Sequence, residues 1–335
     1  MPRINHAILL ANRPSGMPSE SDFRLVEQPV QPPGNGEFLV RLQYLSVDPY
    51  QRGRMRDAPS YARPVGIGEV MTGGGVGRVI ESRHPGFTEG EHVEGMFGWQ
   101  EYAVSSGEGV RKVDPTLAPL STALGVLGMP GLTAWFGVLE IGRPRAGETV
   151  LVSGAGGAVG SAAGQIAKLQ GCRVAGIAGS DEKIRWITGE LGFDAAFNYK
   201  TAPDLRRAIA GVCPGGVDVY FDNVGGEITD AAIMNLNERA RVAVCGQISQ
   251  YNTLDRLELG PRLLWRFLIR RARLEGFLVF DFVDRYGEAL AQLAQWVAEG
   301  RLKYRETILD GIENAPRAFL QLFQGGNIGK QLVRL

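Results

Sequence analysis

A glycine-rich turn lies between a short apolar strand and a helical segment near the middle of the chain, and it restricts the fold more than any other feature. The strand is predicted at residues 149–152, the turn reads SGAGGAVG over residues 153–160, and the helix is predicted to begin near Ser161. A glycine run alone would equally suit a flexible turn. Between a buried strand and a helix, it lets backbone N–H groups and the helix dipole meet a pyrophosphate. The turn therefore predicts a dinucleotide-binding βαβ unit.

Short apolar strands alternate with helical segments from about residue 148 onward, which indicates a parallel sheet. The predicted strands are 149–152, 173–177, 195–197 and 217–221, and the predicted helices are 161–170, 182–191, 205–212 and 286–299. Up to about residue 125 the chain instead shows β-like runs between Pro and Gly turns, at 38–45, 77–80 and 102–104, and a last β-like run covers 330–335. A chain of 335 residues with these two patterns predicts a barrel-like β domain and a domain of βαβ units with a parallel sheet.

The composition is that of an ordinary enzyme. Lys plus Arg and Asp plus Glu both number 36, so no long-range positive field attracts nucleic acid or anionic lipid. No run approaches the roughly 18–20 apolar residues of a membrane span, and the apolar run near the N-terminus is too short for a signal peptide. The cysteines Cys172, Cys213 and Cys245 form no C-x-x-C pair. We expect a cytoplasmic protein with reduced cysteines that binds neither nucleic acid nor membrane.

The end of the second predicted strand bears on which dinucleotide binds. Sites for NAD usually place Asp or Glu about 20 residues beyond the glycines, whereas Gly179 and Ser180 stand here. A small residue leaves room for a 2′-phosphate, and Lys183 can supply the positive charge. Asp181 is the alternative as an acidic ribose ligand, although it also suits the start of a helix capped by Ser180. The pattern favours NADPH.

Zinc ligands are scarce in this sequence. The only histidines are His6, His84 and His92, and no cysteine precedes Cys172, so an alcohol-dehydrogenase zinc site lacks its ligands. The Tyr-x-x-x-Lys of short-chain dehydrogenases and the G-x-S-x-G of hydrolases are absent as well. We therefore expect no metal, and proton chemistry from a tyrosine hydroxyl, a cofactor ribose hydroxyl or water.

Eight ordered blocks carry a resemblance to one enzyme family. They read SVDPYQRGRM (46–55), GMPGLTAWFG (128–137), QIAK (165–168), GSDEK (179–183), FNYK (197–200), FDNVGG (221–226), CGQISQYN (245–252) and GNIGK (326–330). In these blocks the chain resembles the zinc-independent medium-chain dehydrogenase/reductases of the prostaglandin reductase (leukotriene B4 12-hydroxydehydrogenase) and plant double-bond reductase branch, which also holds curcumin-reductase-like enzymes. So many blocks in one order make a chance match very improbable.

The resemblance implies an α/β fold, with a Rossmann doubly wound parallel sheet and a GroES-like β-barrel catalytic domain. The catalytic domain would take residues 1–124, completed by 299–335, and the NADPH-binding Rossmann domain would take residues 125–298. Members of the family use NADPH to reduce the C=C bond of α,β-unsaturated aldehydes and ketones. The implied partners are therefore NADPH, a small enal or enone, and a second copy of the chain in a homodimer.

The resemblance also assigns the cofactor site residue by residue. The pyrophosphate would lie on the turn and the first helical residues, Gly157, Ala158, Val159, Gly160 and Ser161. The 2′-phosphate would lie beside Gly179 and bind Lys183 and Tyr199. The ribose and the nicotinamide would be lined by Asn223, Cys245, Gly246, Ile248, Ser249, Tyr251, Phe277, Leu278, Val279 and Asn327.

Two tyrosines are the candidate catalytic residues. Hydride addition to Cβ of an enone places negative charge on the carbonyl oxygen, where a hydrogen-bond donor can contribute about 3–4 kcal/mol. Tyr251 is the first candidate donor, because it follows a strand end at the cofactor; alternatively it bonds only the ribose. Tyr50 is the second; alternatively it packs in the barrel wall. Asp48 could act as a general base, but before Pro49 it more often organises a turn.

Four departures from the family pattern stand out. Gln51 replaces the usual Met, Trp135 replaces a frequent Tyr, and glycines at 154 and 156 replace common alanines. These three changes should be tolerated. The fourth is the FDF sequence at 280–282, which replaces a segment that usually contains Arg or Asn. This segment lies where the substrate is expected, so it bears on substrate identity.

A basic stretch interleaves arginines with apolar residues over residues 262–273. Nucleic-acid or membrane-surface binding is one interpretation. Because the net charge is zero, an amphipathic helix near the active site or at a subunit interface is favoured.

Two other functions stay open at this point. A quinone oxidoreductase of the zeta-crystallin type would share the fold and the cofactor, although the DPY block at 48–50 and the tyrosine at 251 argue against it. A non-catalytic NADPH-binding protein would keep the dinucleotide site without turnover, and the intact pair of tyrosines argues against that.

Overall fold

The chain folds as two units in a computed structural model that describes residues 3–253, 255–256 and 258–335. The first unit takes in the chain up to Leu124 together with Glu306–Asn327 and Gln331–Leu335. The second takes in Gly125–Arg305 and Ile328–Lys330. The main segment of the second unit therefore runs to Arg305, whereas the sequence prediction ended the NADPH-binding domain at residue 298. The assignment of catalytic and NADPH-binding roles to these parts of the chain stays a prediction.

Strands and helices follow one another through the described residues. In chain order the strands are β1 (Ile4–Leu10), β2 (Phe23–Pro29), β3 (Phe38–Ser46), β4 (Gly75–Ser82), β5 (His92–Gly95), β6 (Tyr102–Ser105), β7 (Arg111–Val113), β8 (Thr149–Val152), β9 (Arg173–Ala178), β10 (Ala195–Asn198), β11 (Val217–Asp222), β12 (Leu236–Val244), β13 (Arg273–Gly276), β14 (Glu306–Asp310) and β15 (Lys330–Arg334). The α-helices are α1 (Gln51–Arg54), α2 (Met129–Phe136), α3 (Ala158–Leu169), α4 (Asp181–Gly189), α5 (Leu205–Val212), α6 (Gly226–Met234), α7 (Leu264–Arg270), α8 (Tyr286–Ala298) and α9 (Ala315–Gln324). Short 3-10 helices cover Glu20–Asp22, Leu120–Leu124, Val279–Arg285 and Ile312–Asn314, and one π-helical turn covers Gly137–Gly142.

A six-stranded parallel sheet forms the centre of the second unit. Its strand order is β10-β9-β8-β11-β12-β13, and every pairing is parallel. This is the doubly wound Rossmann order, in which the chain returns past its first strand to build the second half. The predicted α/β fold class with a Rossmann sheet is therefore confirmed.

The central strand β8 shows why the sheet takes helices on both faces. Val150 and Val152 face one apolar core, which also receives Ile166 of α3. Leu151 points to the opposite core, which receives Ile209 of α5. A strand buried on both faces reads as a continuous apolar run instead of an alternating one, and TVLV does so.

The first unit is built on antiparallel pairing. Strand β3 pairs with β4, β6 and β15, within a seven-stranded sheet, while β1 and β2 form a separate pair. Its core contains a cluster of rings in which Trp99 lies 5.7 Å from Phe23 and 5.9 Å from Phe319 between ring centroids. Phe319 belongs to α9, so the end of the chain completes this core. The predicted GroES-like β domain is confirmed as a fold.

Some elements differ from the sequence prediction. Helix α3 begins at Ala158, three residues before the predicted start, because Gly157 in an extended conformation already serves as its N-cap. Strands β12 and β13 and helix α9 were not predicted.

Candidate functional site

The turn that follows β8 is held by backbone contacts between its own glycines. Gly154 adopts a φ of +60°, and its carbonyl oxygen accepts a hydrogen bond of 2.9 Å from the N–H of Gly157. A Cβ atom at Gly160 would lie 2.4 Å from the same oxygen, which no real side chain tolerates. The first turn of α3 is thus drawn against the loop, and its N–H groups form a cradle that suits a pyrophosphate. We call residues 153–157 the phosphate turn.

A second segment of the chain lies against the phosphate turn. The N–H of Gly329 donates to the carbonyl oxygen of Gly156 at 2.9 Å, and Gly157 pairs with Gly329 as an isolated bridge. Gly329 belongs to the second unit, whereas Asn327 belongs to the first. The role predicted for Asn327 at the cofactor stays a prediction.

Two lysines and a tyrosine gather beside the phosphate turn, at the end of β9. A Cβ at Gly156 would lie 2.8 Å from Cδ of Lys183. A Cβ at Gly179 would lie 2.9 Å from the ring of Tyr199 and 3.3 Å from Cε of Lys200. Both glycines are therefore needed for these side chains to approach, and we call the five residues the lysine corner. Two positive charges beside a small residue suit a 2′-phosphate.

Lys183 is nearly buried within the lysine corner, with 9% of its surface exposed. Burial lowers the pKa of Lys183, and the neighbouring charge of Lys200 lowers it further. An added anion there would offset both effects. Lys200 was not among the predicted cofactor residues, although it follows Tyr199 directly in the sequence.

Asp181 was the alternative ribose ligand in the sequence. Its carboxylate accepts a hydrogen bond of 2.9 Å from the side-chain amide of Asn198. Ser180 is the N-cap of α4, and its hydroxyl accepts from the backbone N–H of Lys183 at 3.3 Å. Asp181 thus takes the place of an acidic residue in the first turn of a capped helix.

The carboxylate of Asp222, at the end of β11, collects hydrogen bonds from three strand ends. It has no exposed surface. Its donors are Ser153 Oγ, Tyr220 Oη, Thr229 Oγ1, Gln247 Nε2 and the backbone N–H groups of Val224 and Gly225, at 2.6–3.1 Å. A buried carboxylate is tolerated where such donors surround it. Asp222 therefore ties the loops after β8, β11 and β12 to one another.

Asn223 is fixed by the same arrangement. Its backbone N–H donates to Ser153 Oγ at 2.9 Å, and its side-chain amide donates to the Ser153 carbonyl at 2.7 Å. The loop after β12 then follows it, because the N–H groups of Ile248 and Ser249 donate to the carbonyls of Asn223 and Val224. These residues meet at the carboxyl ends of the parallel strands, where open α/β sheets bind their ligands.

A pocket of about 370 Å³ opens between the loop after β12 and the segment after β13. Its wall includes Gly246, Gln247, Tyr251, Phe277, Leu278 and Asp281. The hydroxyl oxygen of Tyr251 accepts a hydrogen bond of 3.2 Å from the backbone N–H of Gln247. The volume lies in the range of small-molecule sites, and apolar walls with a few polar groups are typical of them.

Cys245 also lines this pocket. Burial raises the pKa of its thiol to about 12, and the nearby carboxylate of Asp222 contributes to the rise. The thiol is therefore protonated at neutral pH, and a protonated thiol is a poor nucleophile. Cys245 acts as a small neutral wall residue.

The segment at 276–283, which we call the pocket segment, rests on aromatic contacts. A Cβ at Gly137 would lie 2.5 Å from the ring of Phe277, so the small residue lets that ring approach α2. Phe282 stacks on Phe136 with centroids 4.4 Å apart, whereas 54% of Phe280 is exposed. The FDF departure therefore has one anchored ring and one exposed ring.

Tyr50 lies in the first unit, as the residue before α1. Burial raises the pKa of Tyr50 well above its ordinary value, and the charge of Asp48 adds to the rise. The guanidinium of Arg54 lies 5.8 Å from the Tyr50 ring centroid and 4.5 Å from that of Tyr61. Tyr50 is thus a protonated phenol at neutral pH, which can donate a hydrogen bond.

The turn that carries Tyr50 explains the Gln51 departure. The side-chain oxygen of Gln51 accepts from the backbone N–H of Asp48 at 2.8 Å, and its amide donates to the Thr72 carbonyl at 2.9 Å. The Asp48 carboxylate accepts from Ser46 Oγ. Gln51 is fully buried and hydrogen-bonded, and Asp48 organises this turn.

Potential metal ligands do not cluster in the part of the chain that the structure describes. Across residues 3–253, 255–256 and 258–335, no group of three or more His, Cys, Asp or Glu side chains could hold a metal ion. No helix in the same ranges is long and apolar enough to cross a membrane.

The sequence predicted many of these residues but not how they are held. The structure gathers the second unit's predicted cofactor residues around the strand ends, while Tyr50 and Asn327 belong to the first unit. The role of Asp222 was not predicted from the sequence. A charged residue that ends an otherwise apolar strand, as Asp222 does in VDVYFD, was the signal available for it.

Comparisons with known proteins cover nearly the whole chain. Two family models match it, the N-terminal domain of oxidoreductase over residues 6–113 and the zinc-binding dehydrogenase over residues 158–296. The chain is 47% identical over 338 residues to the NADPH-dependent curcumin reductase of Escherichia coli, covering 99% of this chain and 97% of that protein. It is 43% identical over 334 residues to the NADP(+)-dependent 2-alkenal reductase of Nicotiana tabacum, covering 98% and 97%. The crystal structure of CurA in complex with NADPH from Vibrio vulnificus superposes with a TM-score of 0.93 at 48% identity, covering 98% of both chains.

Proposed function

The chain belongs to the zinc-independent medium-chain dehydrogenase/reductases, in the branch of the curcumin, 2-alkenal and prostaglandin reductases, and from this premise we propose that it uses NADPH to reduce the C=C bond of α,β-unsaturated aldehydes and ketones. One observation carries the proposal. A phenol, Tyr251, lines an apolar pocket at the strand ends and accepts a hydrogen bond from a backbone N–H.

The cofactor fits the residues that are present. The N–H groups at the start of α3 would hold the pyrophosphate, and Lys183, Tyr199 and Lys200 would hold the 2′-phosphate. The close approaches at Gly156, Gly160 and Gly179 leave no room for a Cβ, which supports this arrangement. Bound there, NADPH would supply the hydride for Cβ of the substrate, and solvent or the Tyr251 hydroxyl would supply the proton for Cα.

Tyr251 is proposed to donate a hydrogen bond to the carbonyl oxygen, where negative charge develops. Because its own oxygen accepts from the N–H of Gln247, its O–H is the stronger donor. Such a donor lowers the activation free energy by about 3–4 kcal/mol. Tyr50, also a protonated phenol, is proposed as the second tyrosine that binds the substrate. Phe277 and Leu278 give the pocket apolar lining on one side.

A homodimer is proposed as the working form. Strand β13 ends the parallel sheet, and its four residues are all exposed. Near it in the chain, α7 has no buried residue, and Leu264 and Leu268 are 82% and 77% exposed. An open sheet edge with exposed apolar side chains commonly marks a protein interface.

The test is NADPH oxidation, followed by its ultraviolet absorbance, with a medium-chain 2-alkenal, an aryl enone and a simple quinone, each repeated with NADH. We expect enal and enone turnover that prefers NADPH. Turnover of the quinone alone would assign the protein to the quinone oxidoreductases. NADPH binding without turnover of any of the three would make it a binding protein.

A further inference from the structure

Asp281 places a negative charge in the wall of the pocket beside Tyr251. Among the described residues that line the pocket, Asp281 is the only one with a carboxylate or a basic side chain. The other lining residues are apolar or neutral, and the thiol of Cys245 is protonated because burial raises its pKa to about 12. The charge that a substrate meets in this wall therefore comes from one side chain.

The side chain of Asp281 is exposed, and the backbone holds one of its carboxylate oxygens. Its Oδ2 accepts a hydrogen bond of 3.0 Å from the backbone N–H of Leu278, at the start of the 3-10 helix Val279–Arg285. In the part of the chain that the structure describes, no side chain donates to its second oxygen. That oxygen is available to whatever the pocket contains.

No cation of the same helix neutralises this charge. Arg285, four residues further on, pairs instead with Glu140 at 2.7 Å and with Glu288 at 3.1 Å. Its guanidinium also lies 5.6 Å from the ring centroid of Trp135. Arg285 thus forms its ion pairs with other carboxylates, and it does not neutralise the charge of Asp281.

We propose that Asp281 determines substrate class by charge: the pocket takes neutral enals and enones and discriminates against those that carry a carboxylate. This inference rests on the proposed function, because it concerns the substrate of that reaction. Two like charges within several ångströms repel even in water, so a carboxylate bound against the exposed Asp281 side chain would be disfavoured.

The experiment compares a 2-alkenal that carries a carboxylate at its far end with the methyl ester of the same molecule. The two share the reacting enal and differ in charge, and kcat/KM is measured for both with saturating NADPH. We expect the wild-type protein to prefer the ester. Asp281→Asn, which keeps an oxygen for the Leu278 N–H, should lower the ester-to-acid ratio by about fivefold. Asp281→Lys should lower it further and favour the acid.

Asp284→Asn is the matched control. Asp284 lies on the same 3-10 helix and is exposed, as Asp281 is, but it does not line the pocket. The same change of net charge there should move the ratio by less than about twofold, because the charge is not in the wall that the substrate contacts and solvent and salt screen it. In the wild-type protein the ratio should also contract at molar salt, and this readout needs no variant to fold.

The possible results distinguish the role of Asp281 from the proposed double-bond reductase activity. An ester-to-acid ratio that is the same in wild type, Asp281→Asn and Asp281→Lys would overturn the role of Asp281 while leaving the double-bond reductase function in place. A ratio that moves equally in Asp281→Asn and Asp284→Asn would also overturn it, because the effect would then belong to net charge. If the wild-type protein reduced neither compound, the proposed function would fail and the assignment of Asp281 with it.

Discussion

The phosphate turn and the pocket segment lie in the same unit, but they differ in the contacts that hold them. Backbone contacts hold the phosphate turn, whereas side-chain contacts hold the pocket segment. In the phosphate turn the close contacts join backbone to backbone, as where a Cβ at Gly160 would lie 2.4 Å from the Gly154 oxygen. In the pocket segment a Cβ added at Gly276 would meet no atom within 4 Å, and Phe280 and Val283 are more than half exposed. The proposed pyrophosphate site therefore depends on backbone contacts, whereas the proposed substrate pocket depends on side chains that can change without refolding the chain.

The largest effect should follow a change in the phosphate turn's contacts. Gly160→Val places a side chain against the Gly154 carbonyl, so the first turn of α3 must move. We expect the unfolding free energy to fall by about 3 kcal/mol, at the upper end for overpacking, and NADPH binding to be lost. Urea unfolding and a fluorescence titration with NADPH measure the two.

Gly189→Ala is the control for that substitution. Gly189 ends α4, has no positive φ, and has nothing within 4 Å of an added Cβ. This change should leave NADPH binding intact and stabilise the fold by about 0.4–1 kcal/mol. If Gly160→Val bound NADPH as the wild type does, the backbone would not be what defines the cofactor site.

The second effect concerns catalysis in the pocket. Tyr251→Phe removes the hydroxyl but keeps the ring, so kcat should fall by about 100- to 1,000-fold, while NADPH binds nearly as before. Tyr102→Phe, in β6 of the first unit, is the matched control and should keep wild-type activity. Equal loss in both variants, or none in Tyr251→Phe, would remove Tyr251 from the chemistry.

The third effect concerns the lysine corner. Lys183→Met should reduce the preference for NADPH over NADH by about 10- to 100-fold, because a charged hydrogen bond to phosphate contributes about 1.5–3 kcal/mol. Steady-state kinetics with both dinucleotides measures this preference. Lys168→Met changes a lysine of α3 that pairs with Asp194 outside the corner, and should leave the preference unchanged.

The pKa of Lys183 adds a pH dependence. Burial lowers the folded pKa below the unfolded one, so the charged lysine costs stability at pH values below the folded pKa. This cost disappears as pH rises from the folded toward the unfolded pKa. The preference for NADPH should decline over the same alkaline range, and a pH series of the NADPH/NADH ratio checks it. A ratio that stayed flat there would show that another group binds the 2′-phosphate.

The smallest effect should come from the exposed ring of the pocket segment. Phe280→Ser should change the unfolding free energy by less than about 0.5 kcal/mol, as surface substitutions usually do. The substitution should instead change KM for long-chain enals more than it changes KM for short-chain enals. Phe282→Ser, by contrast, breaks the stack on Phe136 and should destabilise the fold. Equal destabilisation by both would erase the contrast between the two regions.

The sequence predicted the phosphate turn and the parallel sheet because local patterns encode them. A TVLV strand buried on both faces and a glycine turn can be recognised without knowledge of their neighbours. Strand β13 escaped prediction because it is an exposed edge, and RLEG has no apolar pattern. In β12 the polar residues from Asn237 to Arg239, with a φ of +59° at Arg239, interrupt the strand signal.

The pocket was harder to predict because its residues come from separate segments. Tyr251 and Phe277 are 26 positions apart, and only the pairing of β12 with β13 brings the ends of these strands to one edge. The hydrogen bond from Gln247 to Tyr251 likewise depends on how the loop after β12 turns back. Such contacts follow from tertiary packing, which no local pattern records.

The buried carboxylate of Asp222 limits which segments of this chain can be exchanged with those of a relative. Its six donors come from separate segments that depend on one another, since a donor lost from any of them leaves the charge less well solvated. A chimaera that exchanges residues 276–283 with those of a relative crosses none of these bonds. A chimaera with a junction between residues 153 and 247 separates donors from the Asp222 carboxylate. Junctions should therefore lie outside this range.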